Sequence, residues 1–279
     1  VWLLAADTTV VDRRIRMLLA HVSDLHLGRD RRTDDAARRL AAALHEGRVA
    51  TALVTGDVTH RGRLDELARF EEIFRPLLDA GRLIVVPGNH DRLGDDVAGR
   101  LMSGARVDVA SRPGLHAVRL DSTGPHNRSL VDSHGLLTED DLAEAVAALD
   151  RAPAGALRVL LLHHHLHPLP EDLLAERLAT LLGWPSAGEL PLGAALLERL
   201  RGRCDLVLHG HRHAPSQLVL DRDGPRPLRV LNAGSTTELG RMRLLGARAG
   251  AVVLDRWVAI DGAAAAALDR RLRADRAAA

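Results

Sequence analysis

Six short apolar runs punctuate the chain, each of strand length and closed by polar or turn residues. They are Met17–Val22, Ala50–Thr55, Arg82–Val86, Leu157–Leu162, Cys204–Leu208 and Arg229–Leu231. Between the first three, the apolar spacing becomes helical. Ala36, Ala37, Leu40 and Leu44 share one helix face, with Thr33 as a cap and Gly47 as the stop. Leu64, Leu67, Phe74 and Leu77 mark a second helix that ends at Gly81. This βαβαβ order predicts an α/β sheet with helices packed on it. Beyond Asp91 the pattern is less regular. Gly114–Ser122 and Ala251–Ile260 read as strands. Thr138, with Asp141 three residues on, opens a helix carrying Leu142, Val146 and Leu149. Glu171–Leu182 and Gly193–Arg201 read as further helices. Gln217–Leu220 and Leu228–Leu231 flank a hairpin loop, Asp221-Arg222-Asp223-Gly224-Pro225. The tail from Ala263 reads as a terminal helix that frays. With no repeat and no linker in view, residues 17–262 are expected to form one domain, between a leader or loose extension (1–16) and a tail (263–279).

Composition limits the classes open to this pattern. With 279 residues, 46% of them hydrophobic, the chain can bury a substantial core. It has no apolar run long enough for a membrane span. Its start lacks the layout of a signal peptide, although residue 1 is valine and the first methionine is Met17. The single cysteine, Cys204, cannot form an internal disulfide and fits a reducing compartment, so a cytoplasmic location is expected. The 38 basic and 37 acidic residues leave a net charge of +1, which gives no argument for a nucleic-acid polymer as partner. All 38 basic residues are arginine and tyrosine is absent, the mark of a GC-rich coding sequence. The 15 histidines need another explanation, because many sit in polar clusters directly after the apolar runs.

Those clusters change the picture. The first run ends in His21-Val22-Ser23-Asp24-Leu25-His26, the second in Gly56-Asp57, and the third in Gly88-Asn89-His90-Asp91. The fourth leads into His163-His164-His165 and the fifth into Gly210-His211-Arg212-His213. All five stand at carboxyl ends of expected strands, the edge where α/β sheets bind ligands. Carboxylate, imidazole and amide oxygen together suit manganese, iron, zinc or cobalt, and no thiolate is present to favour a structural zinc site. Asp24 and His26 alternate around Leu25, and His211 and His213 around Arg212, so each pair can face one way. A carboxylate such as Asp57 can bridge two ions. Two ions about 3.5–4 Å apart can clamp the attacking and leaving oxygens of a displacement at phosphorus and lower the pKa of a bound water to about 7.

Asp-x-His, Gly-Asp, Gly-Asn-His-Asp, a later His and Gly-His-x-His, in that order from Asp24 to His213, resemble the calcineurin-like metallophosphoesterase superfamily. The resemblance implies a two-sheet β-sandwich with flanking helices and a hydrolase using two divalent or mixed-valence ions of manganese, iron or zinc. It implies that Asp24, His26, Asp57 and His213 hold one ion, with Asp57 bridging. Asn89, His164 and His211 would complete the second, with His163 the alternative to His164. His90 would contact the phosphate and protonate the leaving oxygen, with Asp91 orienting it. His60 could reach substrate, Arg212 is expected to point away from the ions, and His209 to face the core or a residue that supports the ligands.

The substrate is less sharply marked. Leu120-Asp121-Ser122, Gly135-Leu136-Leu137 and Asn232-Ala233-Gly234-Ser235-Thr236 resemble the bacterial cyclic-nucleotide phosphodiesterase branch, whereas Leu166 stands where that branch has proline. A cyclic nucleotide or related small phosphodiester is therefore the expected substrate. A sugar-nucleotide pyrophosphohydrolase, with leucine-rich Glu171–Leu200 as an apolar cap, and a broad phosphomonoesterase are the alternatives. A repair nuclease is disfavoured by length and charge. A non-catalytic scaffold is disfavoured because every ligand type is present.

Overall fold

The computed structural model describes residues 15–47, 49–129, 131–168 and 190–261. The helix expected at Glu171–Leu182, the tail from Ala263, most of the expected leader and most of the expected leucine-rich cap lie outside those residues.

Alternation along the first strand, β1 (Met17–Val22), sets the architecture. Leu18, Ala20 and Val22 face one core and Leu19 faces another. A strand apolar on both faces must be covered on both. On one side lie α1 (Arg31–Glu46) and α2 (Leu64–Asp79), which bury Ala36, Ala37, Leu40, Leu44, Leu67, Phe70, Phe74 and Leu77. On the other side lies a second sheet.

The first sheet has the order β11-β10-β1-β2-β3, adding β2 (Thr51–Thr55), β3 (Leu83–Val86), β10 (Arg241–Arg248) and β11 (Ala251–Ala259). β1, β2 and β3 run parallel through α1 and α2, while β10 and β11 are antiparallel additions. The second sheet has the order β4-β5-β6-β7-β9-β8: β4 (Val107–Arg112), β5 (Leu115–Leu120), β6 (Leu157–Leu161), β7 (Leu206–His209), β8 (Ser216–Leu220) and β9 (Leu228–Asn232). Its four inner strands are parallel and its two edges antiparallel. Leu53, Ile84 and Val86 meet Val159, Leu161, Leu206, Leu208 and Leu231 between the sheets. The outer face of the second sheet packs on α4 (Glu139–Asp150) and α5 (Gly193–Leu200) through Leu142, Leu149, Leu196 and Leu200. The result is a two-sheet sandwich with helices on both outer faces. A short helix, α3 (Ala98–Met102), follows the third strand, and another, α6 (Thr236–Leu239), precedes β10.

Local expectations mostly hold. Thr138 caps α4, with the Asp141 carboxylate reaching back to the Thr138 amide at 2.8 Å. Asp221–Pro225 does join β8 to β9. Three readings change. The cap of α1 is Asp30, which accepts the Thr33 amide at 2.8 Å; Thr33 itself lies inside the helix. β4 is an edge strand with little apolar alternation, and β10 carries three arginines and a glycine, so neither was anticipated. Among the described residues no helix is long and apolar enough to cross a membrane.

Candidate metal centre

Parallel strands end at a common edge, so the segments that follow β1, β2, β3, β6 and β7 converge. The Asp24 and Asp57 loops zip together. Asp24 N–H donates to Gly56 O at 3.1 Å, His26 N–H to Asp57 O at 2.9 Å, and Leu27 N–H to Val58 O at 3.0 Å. This pairing holds backbone that L-residues avoid, with φ of 53° at Asp24, 49° at His26 and 50° at Asp57. His211 lies in the same region at 69°. Each such residue costs on the order of 1 kcal/mol, and strain of this kind gathers at functional sites. Glycines make room beside them. A Cβ on Gly88 would stand 2.2 Å from Asp57 Oδ1, one on Gly56 2.4 Å from His163 Nδ1, and one on Gly210 2.5 Å from Asp24 Oδ2.

Three groups of ligand atoms result, each within 4.8 Å: Asp24, His26 and His213; Asp24, Asp57 and His163; and His26, His60 and His90. His26 Nε2 lies 3.1 Å from His213 Nε2, which lies 3.6 Å from Asp24 Oδ1. Asp24 is common to the first two groups, and Asp57 Oδ2, 3.4 Å from His163 Nε2, also lies 3.8 Å from His26 Nε2 of the first. Asn89 Oδ1 adds to the second group, 3.0 Å from His163 Nε2 and 3.1 Å from His211 Nδ1. The residues fit a cation. Asp24 Oδ1 is fully buried with no hydrogen-bond partner, a costly state for a carboxylate that an ion would relieve.

The electrostatics agree. Burial, followed by the neighbouring His213 and His163 as opposing influences, leaves the Asp24 carboxyl above its usual range. For Asp57 burial acts upward, but His163, His90 and His26 outweigh it and hold the carboxyl well below its usual range. For His163 burial acts downward, but the Asp57 and Asp24 carboxylates push it up to about 9. Burial drives His26 and His211 well below the usual imidazole range, which keeps them neutral, as a metal ligand must be.

The structure thus brings together Asp24, His26, Asp57, Asn89, His211 and His213. It does not bring His164 into the group. That ring is spent elsewhere: its Nδ1 lies 2.9 Å from Ser122 Oγ and its Nε2–H donates to Ser133 O at 3.0 Å. His163 stands beside Asp57 and Asn89 instead. Its Nδ1–H donates to Thr55 O at 2.8 Å, which turns Nε2 toward Asp57 and Asn89. The expected Asp91–His90 pair is also absent. Asp91 accepts from Gly88 N at 2.8 Å, Thr59 N at 2.9 Å and Thr59 Oγ1 at 2.7 Å, tying the second and third loops together. His90 is oriented by a backbone group: its Nδ1–H donates to His60 O at 2.7 Å. Its ring packs edge-on against His26 with centroids 4.6 Å apart, and its amide donates to Asp57 Oδ1 at 2.9 Å. The His60 ring stands 5.7 Å from that of His90, at the rim of the same group. His209 is fully buried.

Sequence reasoning missed the residues that hold the ligands. Ser122 Oγ lies 3.2 Å from the amides of His163 and His164. Ser235 Oγ donates to Asp24 O at 2.9 Å, and Thr237 Oγ1 to Leu25 O at 3.2 Å. Ser122 and Ser235 stood in segments noted only for their resemblance to the cyclic-nucleotide branch, and Thr237 lay just beyond the second of them.

The comparisons with known proteins follow the same lines. A family model described as calcineurin-like phosphoesterase matches residues 17–215. No curated protein matches the chain significantly in sequence. Similar solved structures include a dimetal phosphatase from Danio rerio, with TM-score 0.58 and 16% identity over 88% of this chain and 99% of that one. The sulfate thiohydrolase SoxB of Thermus thermophilus gives 0.53 and 17% over 94% of this chain and 60% of that one. The purple acid phosphatase PPD1 of yellow lupin (Lupinus luteus) gives 0.56 and 11% over 87% of this chain and 53% of that one. The chain therefore spans little more than half the length of the last two. At these identities the likeness is one of fold.

Proposed function

Because the chain belongs to the calcineurin-like phosphoesterase family, a group of metal-dependent hydrolases of phosphoester bonds, we propose that it is a phosphodiesterase acting on cyclic nucleotides or related small phosphodiesters. In this reading Asp24, His26, Asp57 and His213 hold one ion, and Asp57, Asn89, His163 and His211 hold the other. The observation that carries it is the place of Asp57, whose Oδ2 lies within 4 Å of a ligand nitrogen from each group. Two ions of manganese, iron or zinc bound there would activate water and neutralise charge on the phosphate.

The remaining work falls to the chain. His90, half-buried beside His26, has its Nδ1–H fixed by His60 O, which leaves Nε2 to carry the proton needed by the leaving oxygen. Asp91 is a positioning residue: it locks the loop bearing Asp57 to the loop bearing Asn89 and His90. The diesterase reading draws on two of the three segments that resemble the cyclic-nucleotide branch, Leu120–Ser122 and Asn232–Thr236. Both touch the site, through Ser122 on the His163–His164 backbone and Ser235 on Asp24. A phosphomonoesterase is the second reading, favoured by the phosphatases among the similar structures.

The test is a panel assayed with added manganese: bis(p-nitrophenyl) phosphate, p-nitrophenyl phosphate, cyclic nucleotides, dinucleotides and nucleotide sugars. The diesters are expected to be cleaved. Asp57→Asn is expected to abolish turnover. His90→Ala is expected to lower kcat by about 10²–10⁴-fold while both ions remain bound. Cleavage of the monoester alone would move the assignment to the second reading. An ion-loaded protein inert toward the whole panel would sink the enzyme reading.

A further inference from the structure

Among the side chains that come together as ligands, His213 is the exception in exposure. Its side chain is 40% exposed, against 0% for Asp24, 4% for His26, 3% for Asp57 and 0% for His163. A buried ligand is aimed by its packing. An exposed imidazole has two ring nitrogens, two tautomers and free rotation, so something else must choose among them.

That something is Glu238, on the one-turn helix α6. Its Oε2 lies 3.1 Å from His213 Nδ1, the ring nitrogen opposite the one that faces Asp24 and His26. Nδ1–H donates to the carboxylate, which leaves Nε2 unprotonated and directed at the ion position. Glu238 is itself held from the far side, because its Oε1 accepts from the Arg29 guanidinium. Arg29 also lies 3.4 Å from Asp30 at the start of α1. The helix that carries Glu238 is sewn to the ligand loop: Thr236 N–H donates to Ser23 O at 3.0 Å, and Ser235 Oγ to Asp24 O at 2.9 Å. An exposed ion pair such as Arg29–Glu238 adds little to stability. Its place behind a ligand is what gives it a role, since outer carboxylates fix the tautomer and raise the basicity of a coordinating imidazole.

We propose that Glu238, braced by Arg29, is the positioning residue for His213 and sets the affinity of the ion held by Asp24, His26 and His213. This rests on His213 being a ligand, as proposed above, and it concerns binding rather than turnover.

The experiment is a chelator competition on the full chain loaded with cobalt(II), read by ion stoichiometry and by the visible absorption bands of the bound cobalt. A wild type that holds fewer than two ions overturns the dinuclear reading itself, separately from the role of Glu238. With two held, Glu238→Ala is expected to weaken one ion by about ten- to hundredfold and shift its bands, while the other keeps its affinity. Glu238→Gln, which still offers an oxygen to Nδ1–H, is expected to recover most of that loss. Arg29→Ala is expected to weaken the same ion by a smaller factor with the melting temperature unchanged. Wild-type affinity and spectrum in Glu238→Ala overturn the proposal, as does equal weakening of both ions.

Discussion

Replacing His163 and His164 one at a time separates two neighbours that the sequence alone leaves tangled. His163→Ala is expected to lose one of two bound ions, because its Nε2 stands beside Asp57 and Asn89. His164→Ala is expected to keep both ions, since its ring is bonded to Ser122 and Ser133. Metal content by mass spectrometry of the native protein checks this; loss of an ion in His164→Ala alone would reverse the assignment. The deciding signal was present in the strand period. Leu157, Val159 and Leu161 face the other sheet while Leu160 and Leu162 face the outer helices. His163 continues the odd-numbered face and so meets the first sheet. Reading this requires knowing which face of β6 looks inward, and a run that is apolar on both faces does not say. The other ligand types were legible because each is a polar island after an apolar run. Glu238 was not, since a single glutamate in a short turn carries no pattern.

Elements buried on both sides were the easiest to find, and β10 shows the exception. It pairs with β1 and β11 in the interior of the first sheet, yet it contains Arg241, Arg243 and Arg248. Arg243 is admitted because Asp255 on β11 takes its Nε at 2.7 Å and its Nη2 at 2.8 Å, with Gln217 as a further acceptor. The guanidinium also lies 5.6 Å from the centre of the Trp257 ring. Charge matched across strands cannot be seen along one strand, so the segment reads as a polar loop. Arg243→Ala is expected to destabilise the protein by about 3 kcal/mol, by leaving Asp255 with Arg229 as its remaining ion-pair partner among the described residues. Arg243→Met with Asp255→Leu is expected to recover most of this. Urea midpoints of the single and double variants check it; a single variant as stable as wild type would refute it.

At the scale of the whole molecule, two sheets and two helical layers enclose three apolar cores, and Cys204 sits in the one between the second sheet and its helices. Burial, helped by the charge of Asp205, pushes its thiol up to about 12. The native protein therefore keeps this proton where an unfolded chain releases it, from about pH 8.5 upward. Ionisation then favours the unfolded state, so this contribution to stability is intact below that range and is lost progressively as the pH rises toward about 12. A thiol reagent at pH 8 is expected to leave the native chain untouched and to label it as fast as the molecule opens. Urea midpoints are expected to fall between pH 8 and pH 10 more steeply in wild type than in Cys204→Ala. Rapid labelling under native conditions, or identical pH slopes, would contradict this.

The bonds from Ser235 and Thr237 to Asp24 and Leu25 join positions 211 to 213 residues apart. During synthesis the Asp24 loop leaves the ribosome more than 200 residues ahead of the hydroxyls that hold it. Until α6 emerges, the Ser235 and Thr237 hydroxyls cannot hold those carbonyls and Glu238 cannot brace His213. A chain cut short before α6 would carry the first four motifs without these bonds to hold the Asp24 loop in place.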